Sequence, residues 1–186
     1  MEQQPDIEVD IVPGGLMAGA AAKPYLEMSE YIKGAQLKLK EITGRMPSEA
    51  FHAMIAAPDG PMASSEPPSH AVLQMKALAP DRAVEFAHLL QNAHFDGGKD
   101  LNDPATYNDL CTEHGLPMLD TAAITKASMA DSMVADSFAR CRKLGPSGYP
   151  TIFVVDQNNT LVGTIPSTYD PTAFLDQFLK IPTKHT

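Results

Sequence analysis

The segment Gly145-Pro146-Ser147-Gly148-Tyr149-Pro150-Thr151-Ile152-Phe153-Val154-Val155-Asp156 constrains what this chain can fold into more than any other. A Gly/Pro-rich loop meets a proline, and the proline leads straight into an unbroken apolar, β-rich run. Proline has no N–H to give to a ladder, so it is tolerated at the first residue of a strand and rarely inside one. Its ring also pushes Tyr149 towards extended geometry, which leaves that residue's backbone N–H and C=O available to an outside partner. X–Pro bonds are the ones that take the cis form at low cost, and the sequence admits either isomer here. Asp156-Gln157-Asn158-Asn159 turns the chain, and Leu161-Val162-Gly163-Thr164-Ile165 reads as the returning strand. Asp170-Pro171, a capping residue with proline at the first helical position, then opens a helix carrying Phe174, Leu175 and Phe178.

Upstream, Ile7-Glu8-Val9-Asp10-Ile11-Val12 alternates apolar and acidic residues as a half-buried strand should, and Pro13-Gly14-Gly15 ends it. From about Lys23 to Thr168 the β-pattern vanishes except around Phe153 and Val162. Tyr25, Met28, Tyr31 and Ile32, then Leu37, Leu39 and Ile42, fall at helical spacing up to Thr43-Gly44. Pro47-Ser48 opens a short helix with Phe51, Met54 and Ile55, and residues 57–68 read as a Pro/Gly/Ser-rich loop. A helix through Val72, Leu73, Met75 and Leu78 follows. Pro80-Asp81 restarts another with Val84, Phe86, Leu89 and Leu90, ended by Gly97-Gly98. Asp103-Pro104 is a further helix start, stopped at Gly115, and residues 119–144 hold one or two helices more. The tail, residues 182–186, reads as disordered. The plan is α/β: one small sheet with a helical insertion between its strands.

At 186 residues the chain forms one domain, or a core with a sizeable insertion. Ten methionines and no tryptophan suit an adaptable helical interior. Acidic residues outnumber basic ones, 23 to 14, for a net charge of −9, which disfavours nucleic acid and anionic membrane as partners. No run approaches the roughly 20 apolar residues of a membrane span. The first residues lack the basic start and apolar stretch of a signal peptide, and two isolated cysteines do not resemble a disulfide framework. The cytoplasm is the expected location. The six histidines show no metal-ligand spacing, and no metal is expected.

Four segments resemble, in order, those of the DsbA-like branch of the thioredoxin fold. That branch includes bacterial protein disulfide isomerase-like proteins and relatives of the kappa-class glutathione transferases. Gly148-Tyr149-Pro150-Thr151 before an apolar strand is similar to the family's cis-proline loop. Gly14-Gly15-Leu16-Met17-Ala18-Gly19 resembles the Gly-rich exit of the isomerase-like subgroup, and Ser65-Glu66-Pro67-Pro68 resembles its loop in the helical insertion. Leu90-Gln91-Asn92-Ala93-His94-Phe95 followed by Gly98-Lys99-Asp100-Leu101 is similar to the family's helix-end pattern. The resemblance implies a thioredoxin-like core from residues 1–22 and 145–181. Residues 23–144 would form the helical insertion and the helix leading back to the core. It also implies thiol–disulfide oxidoreductase or isomerase chemistry on a disulfide-containing protein, with glutathione as an alternative co-substrate.

One part of the family pattern is not found. The family begins with a strand and a Cys-x-x-Cys at the start of a helix, all before the strand that residues 7–12 resemble. No Cys-x-x-Cys occurs in this chain. A dithiol exchanger needs a thiolate of lowered pKa at a helix N-terminus and a second thiol to resolve the mixed disulfide. The first strand and the active-site helix are therefore expected upstream of Met1, beyond a late start. Without that strand, the strands at residues 7–12 and 152–155 must pair directly, or leave an exposed edge at which a second copy could dimerise.

The remaining candidates have plain structural readings as well. Cys111 and Cys141 sit in helical sequence, where a free cysteine usually acts as a small hydrophobe. Arg140, Arg142 and Lys143 would favour a Cys141 thiolate, but no resolving cysteine lies near it in sequence. Glu66 either lines the active-site cleft, as the resemblance implies, or is a solvated acid beside helix-start prolines. Gly14 and Gly15 either line the cleft or simply punctuate a turn. Gly148, Tyr149, Pro150 and Thr151 are the expected substrate-binding residues; no catalytic residue is identified in the chain. Two rival readings remain: a redox-inactive module that binds extended peptides, and a glutathione-dependent isomerase or transferase.

Overall fold

A computed structural model describes residues 7–126, 131–166, 168 and 170–181. The start at Met1–Asp6 and the tail at Pro182–Thr186 lie outside the described residues.

The helical block holds the core. Helix α1 (Tyr25–Thr43) ends at Gly44, whose φ of 72° suits a residue without a side chain. Helix α2 (Glu49–Ala56) is capped by Ser48, which accepts from the N–H of Phe51. Helix α3 (Glu66–Leu78) is the central element, packed against α4 (Ala83–Phe95), α6 (Thr121–Thr125) and α7 (Ser132–Leu144). Helix α5 (Pro104–Glu113) joins α4 and α6 from the other side, with Asp103 capping its first turn and Pro104 at the first helical position. Met75, Phe86, Tyr107 and Ile124 are almost wholly shielded in the middle of this group.

Residues 57–68, expected as loop throughout, already enter α3 at Glu66. Pro67 and Pro68 lie in the first turn, where missing N–H groups cost nothing. The expected absence of strands between Lys23 and the hairpin is also corrected: β1 (Lys23–Pro24) pairs antiparallel with β2 (Met62–Ala63). Two-residue strands offer no alternation to read.

The hairpin forms as expected. Strand β3 (Ile152–Val155) pairs antiparallel with β4 (Leu161–Ile165), Phe153 opposite Thr164, with an irregularity between Val154 and Val155. Helix α8 (Pro171–Leu179), capped by Asp170, packs on β4. A Cβ on Gly163 would come within 2.6 Å of Ile181, so glycine is what lets the chain after α8 lie on the strand.

Residues 7–12 are not a strand. The segment joins no ladder, and the described residues form only two two-stranded sheets. It lies instead against the helices. Ile11 packs on the core cluster, and Asp10 forms ion pairs with Lys76 of α3 and Arg140 of α7. The alternation was real, but its acidic side found two cations rather than water beside a sheet. Ile7 and Val9 stay exposed. Direct pairing of residues 7–12 with β3, one of the two arrangements expected, does not occur.

Candidate functional site

Helix α7 delivers the chain to the proline loop. Asp131 caps its start by accepting from the N–H groups of Met133 and Val134, and Val134, Ser137, Phe138 and Cys141 form its buried face. Gly145, with φ of 68°, ends it in the left-handed conformation that favours glycine. The chain then passes through Pro146-Ser147-Gly148 to a cis Tyr149–Pro150 peptide bond. Thr151 Oγ1 donates to the Gly148 carbonyl at 2.7 Å, closing the loop around that bond.

Tyr149 is about half exposed, and its ring lies back against the N-terminal segment. Its hydroxyl donates to the carbonyl of Gly14 at 3.1 Å, and Cys141 Sγ lies 3.6 Å from that hydroxyl's oxygen. Contact with Cys141 and then partial burial hold the phenol above its usual range, against the opposing pull of Arg142. It therefore stays protonated and continues to donate. Among the described residues, the backbone N–H and C=O of Tyr149 make no hydrogen bond.

The two glycines expected as turn punctuation or cleft lining are close-approach positions. A side chain on Gly14 would run into the Tyr149 ring, and one on Gly15 would run into the ring of Phe138. Gly15 also has φ of 67°, which strains any other residue. Pro13, just before them, accepts from Ser137 Oγ at 3.0 Å.

Glu66 lies at the same N-terminal segment but not at the proline loop's tyrosine. The N–H of Met17 donates to Ser65 Oγ at 2.8 Å, and the N–H of Ser65 donates back to the Met17 carbonyl at 2.7 Å. The N–H of Gly19 donates to Glu66 Oε1 at 3.3 Å. Glu66 is thus a first-turn acid, favourable beside the helix N-terminus, that ties down the chain after Gly15. Residues 14–19 and 65–68, far apart in sequence, form one seam.

The cysteines are poorly placed to attack a disulfide. Cys111 is buried in the helical core, and that burial pushes its thiol up against a weaker opposing hydrogen bond from the Leu119 backbone. Cys141 is 4% exposed and faces Tyr149. Of the cations beside it in sequence, Arg140 is engaged with Asp10 at 3.0 Å. Among the described residues, no three His, Cys, Asp or Glu side chains gather as a metal site.

Several residues that shape this site carried no readable signal. Asp10, Ser137 and Arg140 hold the N-terminal segment against α7 across more than a hundred residues of sequence. Nothing in the spacing of Cys141 and Tyr149 along the sequence predicts that they touch. The arrangement as a whole presents a half-exposed loop at Tyr149, backed by α7, with the buried thiol of Cys141 beneath the tyrosine hydroxyl.

No protein-family model matches the chain, and no curated protein matches it by sequence. Solved structures do. The cytosolic disulfide reductase DsbM from Pseudomonas aeruginosa superposes with a TM-score of 0.70 at 23% identity, over 96% of this chain and 87% of that one. A proposed protein disulfide isomerase from Nitrosomonas europaea superposes with a TM-score of 0.64 at 22% identity, over 82% of this chain and 72% of that one. The fold is therefore DsbA-like and thioredoxin-related. Among the described residues, no helix is long and apolar enough to cross a membrane.

Proposed function

We propose that this chain is the substrate-holding part of a thiol–disulfide oxidoreductase of the disulfide isomerase-like kind, whose reactive dithiol lies outside residues 1–186. The observation that carries the reading is the exposed Tyr149–Pro150 loop. Its tyrosine is braced on Gly14 and Cys141, and its backbone groups are unpaired among the described residues. An extended segment of a disulfide-bearing protein would pair with that backbone, as in strand addition, with Gly148, Tyr149, Pro150 and Thr151 as the contact residues. Gly14 and Gly15 would line the cleft from the opposite side. Glu66 takes a bracing role instead, because its carboxylate is already engaged with Gly19.

In this reading residues 1–22 and 145–181 form the thioredoxin-like part and residues 23–144 the helical insertion. An external thiolate attacks the substrate disulfide, and a second external thiol resolves the mixed disulfide. Glutathione is the small thiol that would reset the dithiol. The cytoplasm fits two unpaired cysteines and the cytosolic description of one structural neighbour.

Insulin reduction tests this. The chain alone should show no dithiol-dependent activity. Extending it with the reading frame upstream of Met1 should restore activity, and Gly14→Val in that extended protein should lower kcat/KM about tenfold or more by displacing Tyr149. An upstream frame that encodes no strand and Cys-x-x-Cys, or an extended protein that is inert, overturns the proposal.

A further inference from the structure

Helix α1 presents one face that its own chain does not use. Its buried side is centred on Ser29 and Gln36, and Gln36 Oε1 meets His52 of α2 at 2.7 Å. Round the helix from there, Glu27, Tyr31, Gly34, Lys38 and Ile42 follow one another at steps of four, three, four and four residues, which aligns them on a single face. All five are exposed, as is Ala35 beside them, and Tyr31 is 76% exposed. A tyrosine and an isoleucine on the outside of a helix are ordinary taken singly. Two neighbours make this face unusual.

Gly34 is the first. A mid-helix glycine destabilises a helix by about 1 kcal/mol relative to alanine, and nothing in this chain requires it here. A Cβ at Gly34 would meet no atom within 4 Å. The second is the pair Glu27 and Lys38, one near each end of the face. Neither has an ion-pair partner among the described residues, whereas Glu30 and Lys33 on the same helix pair at 2.8 Å. Two copies of α1 laid antiparallel about a two-fold axis between Ile32 and Lys33 satisfy all three positions together. Residue Glu27 of each copy then lies opposite Lys38 of the other, and Tyr31 lies opposite Gly34, where the missing side chain gives the ring room. A parallel arrangement would set Glu27 against Glu27. The face is complementary to itself only in the antiparallel sense, as an isologous interface must be.

We propose that the chain forms a two-fold homodimer through this face of α1, with Tyr31 seated on Gly34 of the second copy and Glu27 paired to Lys38 across the axis. The surface is separate from the proline loop and from the β3 edge, so it stands whether or not the proposed chemistry does. A helix of 19 residues is about 28 Å long, so the association is modest and depends on concentration.

Sedimentation velocity over a range of micromolar concentrations tests it, with far-UV circular dichroism and thermal melts as the control for folding. Wild type should show a monomer–dimer equilibrium. Tyr31→Glu should weaken dimerisation about 30-fold with secondary structure unchanged. Gly34→Leu should weaken it comparably while leaving the monomer at least as stable, because it improves helix propensity in open space. Glu27→Lys alone should weaken it about threefold, and Glu27→Lys with Lys38→Glu should restore it. A wild type that stays monomeric at several hundred micromolar overturns the proposal. So does a dimer indifferent to Tyr31→Glu and Gly34→Leu. A single charge reversal that the second fails to rescue overturns the antiparallel pairing.

Discussion

The helical block and the hairpin unit use apolar residues in opposite ways. In the block, Phe51, Ile55, Met75, Phe86, Tyr107 and Val134 are each at most 2% exposed, and Met75, Phe86 and Tyr107 share one core cluster drawn from three helices. In the hairpin and α8, Ile165 alone is buried, while Ile152, Val155, Leu161, Leu175 and Leu179 face outwards. Two-stranded hairpins are marginal on their own and need packing against further structure. The block thus carries the stability of this chain. The hairpin unit carries its unpaired surface, including the edge of β3 beside the proline loop. The two meet where residues 10–15 cross α7, and that seam decides how firmly the loop is held.

The largest effect that would sharpen this contrast lies in the block. Phe86→Ala should cost about 4 kcal/mol, because it empties a site enclosed on all sides; urea denaturation followed by circular dichroism measures it. A loss below about 1 kcal/mol would mean the block is looser than its burial implies.

At the seam, Gly15→Ala should cost about 2 kcal/mol, from the left-handed backbone and the collision with Phe138. It should also shift the Tyr149 ring resonances, read by NMR, more than the signals of β3, because that ring rests on the neighbouring Gly14. Unchanged Tyr149 ring resonances would uncouple the N-terminal segment from the loop.

A smaller effect depends on pH. His94 is 5% exposed, with Nδ1–H donating to the Lys99 carbonyl at 2.9 Å and Nε2 accepting from the Tyr25 hydroxyl at 3.1 Å. Burial lowers its pKa below the ordinary 6.5, outweighing the Lys99 hydrogen bond and the charge of Asp100. The unfolded chain therefore binds this proton first. The stability His94 contributes is complete above pH 6.5 and is lost as pH falls from there towards the folded-state value. Comparing urea midpoints of wild type and His94→Gln between pH 8 and pH 5 (approximate limits) should show a steeper acid loss in wild type. Parallel curves would refute it.

The smallest effect lies in the hairpin unit. Leu175→Ser should change stability by no more than about 0.5 kcal/mol, since that side chain is 52% exposed. A loss near that of Phe86→Ala would erase the distinction between the two regions.

Local rules made much of this molecule legible. Ser48, Asp103 and Asp170 cap the helices whose starts they mark, and Gly44 and Gly145 end helices in the left-handed conformation. Caps and turns depend on residues within a few positions, so their signal is present in the chain itself. The strand expected at residues 7–12 shows where such rules stop. Alternation states that one side is apolar and the other charged; it does not name the partner. Here Ile11 met helices, and Asp10 met Lys76 and Arg140.

The candidate site divides in the same way. The sequence by itself determined the loop–proline–strand–turn–strand unit, the likeness to DsbA-like proteins and the lack of a Cys-x-x-Cys, because each rests on neighbouring residues. Only the tertiary structure decided that Tyr149 braces on Gly14 and Cys141, that Gly15 is required by Phe138, and that Ser65 and Glu66 hold residues 17–19. Those contacts join segments separated by up to 135 residues. Their geometry is set by how the helices pack, and no local pattern encodes a distance between two points so far apart along the chain.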